Sequence, residues 1–411
     1  MNVLFLVDNF PPESNALAVR TFEHARVWVG RGAGVTVITG VPNSPSGRVY
    51  PGYRNRLRSV EVMDGIRVVR VWTFVTANRG TVRRSLDYLS FMLASVPAAV
   101  AERPPDVVVG SSPQLLAALG ASWAARLRRV PFVLELRDLW PESLEAVGAG
   151  SRAMNLGLAR VAAVLYRRAS RIVCVTESFR RILVERGVDP RKIAVVRNGV
   201  DVELFARGDA RDLTRASLGV GNDEFVVSYL GTMGMAHGLE VVLDAAAATL
   251  HEPIRYLFVG DGARAADLRE LATRRGLTNV TFVGRVPRER IPALLAASDA
   301  VLVHLRDAPL FETVIPSKIF EAMAAGKPLI HGVRGESAEI VEAAGAGITV
   351  APGSAGEIAA AARRLRQDPD LARGMGRSGR LAAEREFDRR EAALRMLSVL
   401  EEAAREARRP R

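Results

Sequence analysis

Short apolar runs, most of them rich in β-branched residues, alternate along this chain with longer segments whose apolar residues recur at helical spacing. That alternation narrows the fold more than any other property. A strand–helix–strand series closes most readily into a parallel sheet with helices on both faces. In the first half the predicted strands are Val3–Val7, Val35–Thr39, Ile66–Val71, Val107–Val109, Phe132–Leu136, Ile172–Thr176 and Ile193–Val196. Helical patterns at Ala16–Val29, Gln114–Arg128 and Ser178–Arg186 lie between them. A second series opens near residue 225, with strands at Phe225–Leu230, Arg255–Val259, Val280–Phe282, Ala300–His304 and Pro328–Ile330. The strands are apolar throughout, so both sheet faces are covered. Two doubly wound α/β sheets in tandem follow, and 411 residues suit two cores better than one. The expected division is 1–200, 201–388 and a closing amphipathic helix in 389–411, with Ala392, Leu394, Met396, Leu397 and Leu400 on its apolar side. Asn198–Asp201 and the polar stretch Arg207–Thr214 read as the linker.

The charge is one-sided. Of a net +12, residues 1–200 hold 28 Lys and Arg against 15 Asp and Glu, whereas residues 201–411 hold 29 against 30. Arginine makes up 54 of the 57 basic residues, and coding bias explains that choice but not its distribution. The first half is therefore expected to meet a polyanion or an anionic membrane surface. No nucleic-acid module or aromatic-stacking pattern accompanies the arginines, so nucleic acid is not the expected partner. The helical pattern Arg83–Ala101 carries Leu86, Leu89, Leu93 and Val96, widened by Tyr88, Phe91 and Met92. Core packing is the expectation for it; membrane docking beside Arg54, Arg56 and Arg58 is the other reading. The one cysteine, Cys174, sits in an apolar run and reads as a core residue in a reducing compartment. The N-terminus has no basic lead before its short apolar run, and no stretch of about 18 apolar residues occurs. A cytoplasmic chain, at most peripheral on the inner membrane face, is expected.

Ligands of doubly wound sheets bind beyond the carboxyl ends of the strands, so the loops there carry the chemistry. Leu230-Gly-Thr-Met-Gly-Met-Ala-His-Gly-Leu239 joins a strand to a helix, and its glycines let backbone amides approach a phosphate. Val259-Gly-Asp-Gly-Ala-Arg264 is either a second ligand loop or a plain tight turn. In Pro316-Ser-Lys-Ile-Phe-Glu321, proline can start a helix, placing Ser317 and Lys318 in its first turn and Glu321 one turn on. A lysine suits a phosphate and a carboxylate suits the two hydroxyls of a ribose; an ordinary salt bridge is the alternative. In the first half, Arg137 and Asp138 follow a predicted strand and form either a catalytic pair or a structural ion pair. Asn9, Ser14, Asn15 and Ser111 lie in neighbouring loops. Five scattered histidines and no Asp-x-Asp after a strand leave no metal-ligand pattern, so no metal or other cofactor is expected.

These residues together resemble glycosyltransferase family 4, over nearly the whole chain. The markers are Asn198-Gly-Val-Asp201, Gly231-Thr-Met-Gly234, Gly260-Asp-Gly262, Gly284-Arg285 and Glu321-Ala-Met-Ala-Ala-Gly-Lys-Pro328. Asp8-Asn-Phe-Pro-Pro-Glu-Ser14, Arg70-Val-Trp-Thr73, Leu86-Asp-Tyr-Leu-Ser-Phe91 and Glu135-Leu-Arg-Asp-Leu-Trp-Pro-Glu-Ser143 are similar to bacterial N-acetyl-L-fucosamine transferases of O-antigen and capsule assembly. The resemblance implies a GT-B fold, two Rossmann-like domains facing across a cleft with the last helix crossing back to the first. It implies a UDP-sugar donor, no metal and retention of anomeric configuration; a lipid-linked saccharide acceptor at the inner membrane face would account for the basic first half. By similarity Gly231, Thr232, Ser317 and Lys318 would hold the diphosphate, Glu321 the ribose and the Arg285 backbone the base. Gly260 and Gly262 would line the donor site, and Asn9, Ser14, Asn15 and Ser111 the acceptor site.

Three positions depart from that family. Thr313 stands where the first of two glutamates is usual, with Glu312 beside it; His237 replaces a phosphate-loop lysine; and Arg137-Asp138 replaces a His-Asp pair. Asp138 is then the expected base or orienter of the acceptor hydroxyl, with Arg137 holding acceptor or phosphate. A GT-B sugar-nucleotide 2-epimerase is the alternative, and a nicotinamide-dependent oxidoreductase a remote one that lacks its glycine fingerprint.

Overall fold

The computed structural model describes residues 1–44, 46–76, 81–145, 151–206 and 211–408. The chain divides into two compact units, Met1–Arg197 with Arg390–Arg411, and Asn198–Arg389. The first holds β1 (Asn2–Leu6), β2 (Gly34–Gly40), β3 (Arg58–Met63), β4 (Ile66–Val71), β5 (Val107–Ser111), β6 (Phe132–Leu136), β7 (Arg171–Cys174) and β8 (Ile193–Val195). They lie side by side in the order β3-β4-β2-β1-β5-β6-β7-β8. The second unit holds β9 (Phe225–Leu230), β10 (Ile254–Val259), β11 (Val280–Gly284), β12 (Ala300–His304), β13 (Leu329–Gly332) and β14 (Gly347–Thr349), ordered β11-β10-β9-β12-β13-β14. Every pairing is parallel except β3 with β4.

Burial on both faces explains the unbroken apolar runs. Val3, Phe5 and Val7 pack with Trp28, Val107 and Val109 on one face, while Leu4 and Leu6 on the other are equally buried. Cys174 is buried within β7. These are the doubly wound α/β sheets that the alternation requires. Strand β3 was not among the predicted strands, because Arg58-Ser-Val-Glu-Val-Met63 alternates polar and apolar residues. It returns through Asp64-Gly65, whose φ values of 49° and 79° form the two-residue turn that Asp-Gly favours.

The last helix, Arg389–Arg408, completes the first unit's core. Met396, Leu397, Leu400 and Ala403 join the cluster around Val3, Phe5 and Trp28, and Trp28 Nε1 donates to the Ala393 carbonyl at 2.8 Å. Where the chain enters and leaves the second unit, its two segments are paired. Val200 N donates to Phe387 O at 2.8 Å and Arg389 N to Val200 O at 3.0 Å. A Cβ on Gly199 would lie 2.7 Å from Arg389 Cα, so this crossing admits no side chain there.

Two expectations are corrected. Part of Arg207–Thr214 is not linker: residues 207–210 lie outside the described residues, but Arg211–Ser217 is a helix. It is fixed by the buried Arg215, which donates to Ala297 O at 2.9 Å and pairs with Asp299 at 2.5 Å. The helix Thr81–Ala101 is not wholly core. Phe91, Met92, Ala98 and Ala99 are buried, but Leu86, Leu89 and Leu93 face outward because nothing among the described residues covers that side.

Candidate active site

In the second unit, Lys318 sits at the start of a helix (Lys318–Ala324) that leads from β12 toward β13. Its ammonium lies 3.9 Å from the centroid of the Tyr229 ring and donates to the Tyr229 hydroxyl at 2.6 Å. Burial pulls this lysine down to about 7, against the opposing pull of the Glu321 carboxylate. Glu321, half-buried, follows one turn later on the same side. Lys318, Ser317 and His237 line one cavity of about 220 Å³ with His304, Val303, Leu305 and Pro316. The His304 ring meets the His237 carbonyl at 2.7 Å, and His237 is held down to about 4 by burial and then by the Lys318 charge. At neutral pH His237 is therefore an uncharged ring, with Nδ1 buried and unpartnered.

The glycine loops brace this site. A Cβ on Gly231 (φ 132°) would fall 2.4 Å from Lys318 Cε, so only glycine lets the loop lie against the lysine stem. A Cβ on Gly260 would fall 2.0 Å from Gly231 O, and one on Gly262 would fall 2.6 Å from Met233 O. Gly231 N donates to Val259 O and Met233 N to Asp261 O, so the two loops are tied to each other.

In the first unit, the carboxyl ends of β1, β5 and β6 are neighbours. Arg20 Nε pairs with Glu135 Oε1 at 2.8 Å, and Ser111 donates to Glu135 Oε2 at 2.6 Å, all buried. Burial alone would raise the Glu135 carboxyl; Arg20 and Arg137, with the Ser111 and Arg20 hydrogen bonds, hold it below its ordinary value. Arg137 lies beside this network with Nε and Nη1 buried and unpartnered, and burial lowers its guanidinium. Burial raises Asp138 to about 6, opposed by Arg137. Ser112 Oγ accepts from Arg137 N at 2.8 Å and fixes the turn.

A cavity of about 70 Å³ opens beside these strand ends, lined by Asp8, Asn9, Thr73, Arg84, Asp87 and Gln114 among others. Four buried polar atoms in its wall have no partner: Asp8 Oδ1, Thr73 Oγ1, Arg84 Nε and Gln114 Nε2. Burial raises Asp8 to about 7 and Asp87 to about 6. Mixed donors and acceptors left unsatisfied in one small space are what a hydroxyl-bearing ligand or its waters would meet.

Residues 15–199 match the family described as "Glycosyl transferase 4-like domain", and residues 210–382 match "Glycosyl transferases group 1". The chain is a GT-B glycosyltransferase. Among curated relatives it is 27% identical over 334 residues to the putative colanic acid biosynthesis glycosyl transferase WcaI of Escherichia coli K12, covering 79% of this chain and 82% of that one. It is 29% identical over 278 residues to the probable glycosyltransferase WbjE of Pseudomonas aeruginosa, covering 64% and 66%. The solved structure of Anabaena Alr3699/HepE with UDP-glucose superposes with a TM-score of 0.74 at 22% identity, over 98% of this chain and 100% of that one.

In this glycosyltransferase the predicted donor residues fall into two sets. Gly231, Thr232, His237, Ser317, Lys318 and Glu321 gather around the lysine, with Thr232 and Ser317 exposed. Gly260 and Gly262 support the adjoining loop, and Arg285 is exposed after β11. Lys327, the other lysine of that segment, is spent on the carbonyls of Ala296 and Ser298. Thr313 donates to Leu310 O, and Glu312 is exposed. Among the predicted acceptor residues, Asn9 lines the cavity and Ser14 is exposed. Asn15 caps the helix Ala16–Gly30, and Ser111 is committed to Glu135. Tyr229 and His304 were not predicted, because each lies at or next to the end of an apolar strand and carries no motif of its own. Asp8, Arg84, Asp87 and Gln114 come together only through tertiary structure. Among the described residues no group of three or more His, Cys, Asp or Glu side chains is placed to hold a metal ion, and no helix is long and apolar enough to cross a membrane.

Proposed function

We propose that this glycosyltransferase moves a sugar, an N-acetylated amino sugar, from a UDP-sugar onto a lipid-linked saccharide in bacterial surface polysaccharide synthesis, O-antigen or capsule. The reaction proposed is metal-independent, retains the anomeric configuration and takes place at the cytoplasmic face of the membrane. The observation that carries the donor reading is the half-buried Lys318, stacked on Tyr229 against the Gly231 loop, with Glu321 one turn away. An ammonium without a full counter-charge, facing a cavity, suits a diphosphate whose negative charge grows as the sugar departs. Glu321 then accepts from the ribose hydroxyls. The UDP-glucose bound by the structural neighbour supports the same donor class. On the acceptor side, Asp138 takes or orients the proton of the attacking hydroxyl, Arg137 offers its two unmet N–H groups, and the cavity at Asp8 and Gln114 receives further hydroxyls.

Thermal unfolding with UDP, GDP, dTDP and NAD tests the donor reading. A ligand at a hundredfold excess over its Kd stabilises by about 2.7 kcal/mol. UDP alone is expected to raise the midpoint, and Glu321→Ala to lose the rise while remaining folded. A rise with NAD alone, or with no nucleotide, refutes the assignment. Product analysis separates transfer from epimerisation, since a 2-epimerase turns over the sugar nucleotide without an acceptor.

A further inference from the structure

Strand β12, flanked by β9 and β13, ends in the buried His304. Glycines make the seat of its ring. A Cβ on Gly332, opposite it in β13, would fall 2.6 Å from Cδ2, and one on Gly238 would pack 3.5 Å from Cε1. Both ring nitrogens are engaged, and their partners fix the proton. The His237 carbonyl, 2.7 Å from Nδ1, only accepts; the Gly353 N–H, 3.0 Å from Nε2, only donates. The proton therefore belongs on Nδ1 and the lone pair on Nε2. Burial keeps the ring below its ordinary value, against the opposing pulls of the His237 carbonyl and Glu240, so it stays uncharged at neutral pH.

The short turn Met235–His237, which has no side-chain cap, is pinned to this strand end at two carbonyls. Ala236 O accepts from Arg306 N at 2.9 Å, and His237 O accepts from His304. From that turn the His237 ring stands edge-on to Tyr229, with centroids 6.0 Å apart, and lines the Lys318 cavity with Nδ1 unpartnered. An uncharged imidazole offers a ligand one N–H and one lone pair, so its worth depends on where the backbone aims it. His304 borders the same cavity, but its two nitrogens are already committed. We propose that His304 is a positioning residue of the donor site: as its Nδ1–H tautomer it holds the His237 carbonyl, and through that peptide it aims the His237 imidazole at the diphosphate beside Lys318. The inference deepens the proposed function and rests on it for the identity of that ligand.

Two substitutions divide the hydrogen bonds of the ring. His304→Asn places an amide N–H near the site of Nδ1 and keeps the bond to His237. His304→Gln places an amide oxygen near the site of Nε2 and keeps only the bond to Gly353. A merely structural role predicts equal losses. Aiming predicts a split at similar unfolding midpoints: UDP affinity within about threefold of wild type for Asn, and weaker by at least about tenfold for Gln. In a His237→Ala background the two should become alike, because the group being aimed is gone. Two readings need no nucleotide. Nitrogen resonances of the wild-type ring should place the His304 proton on Nδ1, and hydrogen exchange across residues 233–239 should quicken in Gln but not in Asn. A proton on Nε2, equal UDP affinities for the two variants, or a split that survives His237→Ala would each overturn the proposal. A wild type that ignores UDP while exchange quickens only in Gln loses the functional reading and leaves His304 as the residue that holds the turn. One that binds UDP, with both variants alike, loses this inference alone.

Discussion

Lys318 is held where an unbalanced ammonium is costly, and its behaviour with pH follows. In the ligand-free protein it titrates near 7, so it is largely neutral at pH 8. A diphosphate favours the charged form, and binding above pH 7 therefore draws in a proton. Affinity for UDP-glucose should fall between pH 7 and 8.5, by up to about tenfold per unit, with proton uptake visible by calorimetry in buffers of different ionisation enthalpy. Lys318→Gln should bind weakly with neither effect. The ligand-free stability has the opposite slope. Between 7 and the ordinary lysine value of 10.5 the unfolded chain holds the extra proton, so the folded state gains as pH rises through that window. Asp138, raised to about 6, predicts kcat/KM rising with pH through that value, a limb that Asp138→Asn should remove. Glu135→Gln leaves Arg20 without its buried counter-charge and should cost about 3–5 kcal/mol in denaturant unfolding. Lys318 and Glu321 were legible in the sequence because a proline-led helix start fixes their spacing. The partners Tyr229 and His304 were not, because a polar tip on an apolar strand shows its purpose only once neighbouring strands are in register.

At the scale of elements, strand–helix alternation made the two sheets legible, since covered faces force unbroken apolar runs. The edge elements were harder. Strand β3 alternates polar and apolar residues with no fully buried position, and its Asp-Gly turn is the stronger clue. The glycine loops were legible as loops, but sequence could not separate ligand contact from loop-on-loop packing. Gly260 decides this by proximity to Gly231 O. Gly260→Ala must push the Gly231 loop away from Lys318, so UDP affinity should fall about tenfold or more even though residue 260 does not line the lysine cavity. Wild-type affinity in that variant would show that the two loops are not coupled.

At the scale of the molecule, the last helix is part of the first core. Removing residues 390–411 strips Met396, Leu397, Leu400 and Ala403 from around Trp28. Burial of a leucine or methionine contributes roughly 1.5–3 kcal/mol each. The truncated chain should therefore lose the unfolding transition of its amino-terminal unit while Asn198–Arg389 retains its own, as followed by limited proteolysis. The paired entry and exit at Val200 and Arg389 have a further consequence for synthesis on the ribosome. Domains commonly fold in the order in which they are made. Here the first-made unit needs Arg390–Arg411 to close its core, whereas the second needs nothing beyond Arg389. The later-made unit can thus close on residues that precede the helix the earlier-made unit still waits for.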